Sequence, residues 1–95
     1  MTRVRERLRW LLLLEAATHD QPVDQLKNTL WGLFRSAGEA EHPDDVNDAN
    51  IAAHEWFAVA LREAERLGHL RRVGDTVEVT APGRVALATW QAHER

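Results

Sequence analysis

The chain has 95 residues, enough for one domain with a modest core, and no cysteine, which excludes disulfides, thiolate metal sites and a cysteine nucleophile. Its formal net charge of −3 argues against a strong, indiscriminate nucleic-acid binder. The acidity is local: residues 39–55 carry six acidic and no basic side chains, and both flanking segments are mildly positive.

The first periodic segment predicts a helix over about 3–18. Its basic opening and the apolar run Trp10–Leu14 superficially suggest a signal peptide, but Glu15 breaks the run after five residues, so a helix start and a cytoplasmic location are expected. Nothing approaches the length of a membrane span. Val4, Leu8, Leu11 and Leu12 fall on one face, and Trp10, Leu13, Leu14 and Ala17 on the other. A helix apolar on both sides is covered on both, either at the centre of the domain or, in so short a chain, by a second copy in a homodimer.

Asp20-Gln21-Pro22 supplies an N-cap and a first-turn proline for a second helix over about 22–37, with a stripe of Val23, Leu26, Leu30, Leu33, Phe34 and Ala37, and Gly38 as its C-terminal cap. Residues 39–49 read as an acidic loop. Asn50 or Asp48 caps a third helix over about 50–67, closed by Gly68, whose buried stripe is Ala53, Trp56, Phe57, Ala60, Leu61, Ala64 and Leu67. Leu70–Val73 and Thr76–Val79 form a hairpin over about 70–79 around Gly74-Asp75, with Arg71 opposite Glu78 and with Leu70, Val77 and Val79 on the other surface. Thr80 caps a last helix over about 81–92.

The fold class is therefore mainly α with a small β-hairpin, in the order helix, helix, helix, hairpin, helix. The segment "ALREAERLGHLRRVGDTVEVTAPGRVAL" resembles MarR- and PadR-type bacterial regulators through Leu61, Leu67, Gly68, Leu70, Arg71, Arg72, Thr80, Gly83 and Arg84. The resemblance covers about a third of the chain and implies a winged-helix domain. A helix-turn-helix joins its helices by about three or four residues. Some eleven acidic-rich residues separate them on this reading, a departure from that pattern.

A winged helix that reads duplex DNA places its third helix in the major groove and its wing against phosphate or the minor groove. Arg62, Arg66, Arg71 and Arg72 are the residues expected to do so, with Asn50 and His54 as base-edge contacts. The arm bearing Arg3, Arg5, Arg7 and Arg9 offers secondary phosphate contacts. The four tryptophans fall one to each helix. Trp10, Leu13, Leu14, Trp31 and Trp90 are candidates for a dimer or partner interface. The resemblance thus implies a small transcriptional regulator that binds double-stranded DNA. The competing reading is a protein–protein interaction module or inhibitor that uses the acidic loop and exposed tryptophans.

No enzyme, metal or cofactor is expected. The histidines are scattered, and "HEWFA" at 54–58 has Ala58 where a zinc-protease helix needs its second histidine. The acidic loop lacks the ligand spacing and glycine of a calcium site.

Overall fold

The structure is a computed structural model that describes residues 2–19 and 21–93, with side chains from residue 4 onward. Its elements are α1 (Thr2–Thr18), β1 (Gln21–Pro22), α2 (Val23–Glu41), α3 (Val46–Arg66), β2 (Leu70–Val73), β3 (Thr76–Val79) and α4 (Ala81–His93). Four helices pack with a small antiparallel sheet of order β1-β3-β2, which α1, α2 and α3 contact.

α1 is the central helix. Leu8, Trp10, Leu12, Leu13 and Ala16 are buried in it, and α2, α3, α4 and β3 all pack against it. Its two apolar faces are thus covered within one chain, the central placement of the two alternatives, and Trp10 and Leu13 are not the dimer or partner contacts expected of them. Leu13 is 1% exposed and Trp10 9%, leaving almost no surface for a partner. Phe34 on α2 meets Phe57 on α3 edge-on at 5.5 Å, the quadrupole-favoured arrangement, in the middle of the core.

The largest departure from the sequence reading lies between α2 and α3. α2 runs three residues past Gly38, and α3 begins at Val46, so only the four residues His42–Asp45 join them. Of the acidic residues of 39–49, Glu39, Glu41 and Asp48 lie in the helix ends, and only Asp44 and Asp45 lie in the turn. Glu39 is an outward residue that pairs with Arg35 one turn earlier at 3.3 Å. Asp45 is the N-cap of α3 and accepts the Asp48 N–H at 3.1 Å, and carboxylates there suit the positive end of the helix dipole. Gly38 is not a cap. It lies inside α2 against α3, where a Cβ would strike the backbone carbonyl of Ala49. The buried stripe of α3 accordingly begins a turn early, at Ala49, Ala52 and Ala53, and these small side chains allow the close crossing. Trp56 is only half-buried and Leu67 is 42% exposed, so neither belongs to that stripe as expected.

α3 ends as the sequence implies. Gly68 adopts a φ of +76°, its N–H donates to Glu65 O at 3.0 Å, and the His69 N–H donates to Ala64 O at 2.9 Å, a Schellman closure. The hairpin register is the expected one: Leu70 with Val79, Arg71 with Glu78, Arg72 with Val77, Val73 with Thr76. β1 has no counterpart in the sequence reading. Gln21 pairs with Val77 and Pro22 with Thr76, which makes Pro22 the residue that flanks α2 and not part of its first turn. The expected cap Asp20 lies outside the described residues.

Thr80 joins the hairpin to α4. Its Oγ1 accepts the Gly83 N–H at 3.1 Å and donates to the Gly68 carbonyl at 2.5 Å. Thr80→Ala therefore loses a cap and leaves a carbonyl without its donor, an expected cost of about 1–2 kcal/mol. Urea denaturation checks this, with Thr80→Ser restoring most of the loss.

Candidate nucleic-acid interface

The exposed strip of α3 carries Ile51, Glu55, Ala58, Val59, Arg62 and Arg66, and two clefts flank it. One, of about 340 Å³, lies between α2, α3 and β2. Lys27 of α2, His54 and Arg62 of α3 and Arg72 of β2 line it, together with Asp24 and Glu65. The other, of about 280 Å³, lies between α1 and α3, with Arg5 and Arg9 facing Trp56, Val59 and Glu63.

The expected DNA contacts are only partly assembled. His54 and Arg62 stand exposed on α3, whereas Asn50 is half-buried. The His54 ring lies 4.6 Å from Trp31, so Trp31 is occupied by α3 and is only half-exposed. Arg66 forks onto Glu63 with contacts at 3.1 and 2.5 Å. Those hydrogen bonds hold the Glu63 carboxyl below the usual carboxylate range and raise Arg66 correspondingly. Arg71 meets Glu78 at 2.8 Å across the hairpin, and Arg72 reaches Glu65 at the end of α3, also at 2.8 Å. Of the four arginines expected to hold DNA, Arg62 alone carries no ion pair among the described residues. These pairs are solvent-exposed and worth little, so a phosphate can compete for each guanidinium. The carboxylates nevertheless remain beside it.

The basic arm is divided in the same way. Arg5 stands 5.4 Å above the Trp56 ring and Arg9 4.8 Å above Trp10, cation–π contacts that draw both toward the helices. Arg7 is exposed, and the Arg3 side chain lies outside the described residues. Of the interface candidates, Leu14, Trp31 and Trp90 keep partial exposure. Trp90 stacks on Trp10 at 5.7 Å.

Sequence reasoning missed Lys27. It sits on the turn of α2 that faces the cleft, and its helical spacing from Val23 carried the signal. Among the described residues, no group of three or more acidic, histidine or cysteine side chains is placed to hold a metal, and no helix is long and apolar enough to cross a membrane. Comparison with protein-family models, curated proteins and solved structures finds no match.

Proposed function

We propose that the chain is a winged-helix protein that holds duplex DNA through α3, the N-terminal half of α2 and the β2–β3 wing. The supporting observation is the cleft in which three separate elements bring Lys27, Arg62 and Arg72 together beside His54. The four-residue turn between α2 and α3 also supports it, because that is the length a helix-turn-helix requires. The acidic start of α3 repels phosphate, so contact is carried by the C-terminal half of the helix and by the wing. With Arg66, Arg71 and Arg72 already paired, sequence-independent affinity is modest.

Fluorescence anisotropy on random-sequence duplex DNA tests this. Expected is a Kd of about 10⁻⁵ M at low salt, with log K falling against log salt at a slope of about −3, for three neutralised phosphates. Arg62→Ala and Lys27→Ala each flatten that slope by about one. No binding at low salt, or variants that leave the slope unchanged, overturns the proposal.

A second reading, a protein-interaction module, is favoured by one specific observation. Val46 is 61% and Ile51 55% exposed amid Asp44, Asp45 and Asp48. Exposed carboxylates clustered near Val46 in sequence repel phosphate and suit a basic protein surface better than DNA. On that reading, binding is sensitive to Val46→Ser and Asp45→Lys and indifferent to Arg62→Ala.

A further inference from the structure

His69 occupies the junction of three elements. Its N–H closes α3 onto Ala64 O, and its carbonyl accepts the Thr80 N–H at 3.0 Å. A Cβ on Gly83 would strike that same carbonyl, so α4 starts in backbone contact with this residue. The imidazole stacks on Trp10 at 5.9 Å, and Trp10 stacks in turn on Trp90 at 5.7 Å. A column of three rings thus joins the end of α3 to α1 and to the last turns of α4.

The polar atoms in this column lack partners. His69 Nδ1, Trp10 Nε1 and Arg9 Nη1 are all buried without a hydrogen bond. Trp10 Nε1 and Arg9 Nη1 are obligatory donors, whereas a neutral imidazole can present Nδ1 as an acceptor. Protonation converts that acceptor into a third donor, leaving three inaccessible donor atoms without a partner among the described residues, at a residue that is itself only half-buried. It also places an imidazolium near the Arg9 guanidinium, whose charge opposes it.

From this geometry we infer that His69 is a proton-operated latch, and that its protonation breaks the His69–Trp10–Trp90 column and frees α4 from α1. Desolvation, and after it the Arg9 charge, pushes the His69 imidazole below the ordinary histidine range. The surrounding charges do not offset this. On α3, Glu63 acts on Arg9 but is held by Arg66. On β2, Arg71 is held by Glu78, and the junction and α4 present Thr80, Gly83 and an exposed Arg84. The sign follows from linkage. The unfolded chain takes up the proton more readily, so the joint is fully stable above about pH 6.5 and loses stability as pH falls through the lower folded value.

Near-UV circular dichroism reads the stacked indoles directly. It is measured in a His54→Gln background, because Trp31 packs on His54 and would report that residue's titration as well. The expected result is loss of the Trp10–Trp90 contribution only as pH falls below about 6.5, with far-UV helical signal largely retained. His69→Phe, which stacks but cannot titrate, holds the near-UV signal flat over that range. Arg9→Met moves the midpoint upward, toward the ordinary histidine value. Superimposable traces for the parent and His69→Phe, or concerted loss of near- and far-UV signals in both, overturn the latch. If His69→Phe does not fold, histidine NMR titration of the unmutated chain decides. Trp10 and Trp90 indole resonances that follow the His69 midpoint support the latch, and resonances that do not follow it overturn it.

Discussion

Replacing Gly38 with valine is expected to destabilise the protein by about 3 kcal/mol, at the upper end of overpacking, because the added atoms collide with backbone and no rotamer change relieves them. The Ala49 carbonyl occupies the space a Cβ needs, so α2 and α3 must separate, and with them the Phe34–Phe57 contact beneath the crossing. For a domain of this size the loss lowers Tm by about 15 °C in a thermal scan. Gly32 supplies the control on the same helix. A Cβ there meets nothing within 4 Å, and Gly32→Ala is expected to raise stability by about 0.5–1 kcal/mol through helix propensity alone. Opposite signs for two glycines six positions apart distinguish a close helix crossing from a general tolerance of glycine. Equal and small effects would mean that the crossing is looser than described.

The second large effect concerns charge. Glu63, Glu65 and Glu78 neutralise Arg66, Arg72 and Arg71. The triple variant Glu63→Gln, Glu65→Gln, Glu78→Gln frees three guanidiniums, Arg66 on α3 and Arg71 and Arg72 on the two surfaces of the hairpin. Stability is expected to change little, because each pair is exposed and worth at most about 1 kcal/mol. Affinity for random duplex at low salt is expected to rise tenfold to roughly a hundredfold, and the salt slope to steepen by as much as about 2.7. Anisotropy across a salt series measures both. A slope unchanged by three added charges would place the DNA contact elsewhere or remove it.

Legibility in the sequence divides along physical lines. The hairpin, its register and the glycine closure of α3 were readable because each is set by residues adjacent in sequence: Gly74-Asp75 fixes the turn, and Gly68 supplies the positive φ. The α2–α3 turn was not readable, because Gly38 serves a residue on another helix and the chemistry of a lone glycine is the same at a cap and at a crossing. The run of carboxylates compounded the error, since charge alone does not separate a loop from the outward ends of two helices. β1 left no signal at all: two residues, one of them proline, become a strand only when β3 arrives beside them. In the candidate site, helical spacing puts Arg62 on the outer face of α3 and His54 at its margin, and both are exposed. The partners of Arg71 and Arg72 were not equally visible. The cross-strand contact of Arg71 with Glu78 followed from register, but the reach of Arg72 back to Glu65 depends on how the hairpin leans on α3. Trp10 was misassigned for a related reason. Its covering layer is His69 and Trp90, far along the chain.

The sheet also has two margins, and both are defended. β3 lies in the middle, so β1 and β2 each leave a row of backbone groups open to recruitment by a strand of another molecule. On the β1 side the margin is two residues long and includes Pro22, which has no N–H to offer. On the β2 side it is four residues long and includes the charged Arg71 and Arg72, each already tied to a carboxylate, beside the half-exposed Val73. The hairpin arginines therefore protect the protein from edge-to-edge aggregation whether or not they ever meet a phosphate, and replacing them with apolar residues is expected to cost solubility.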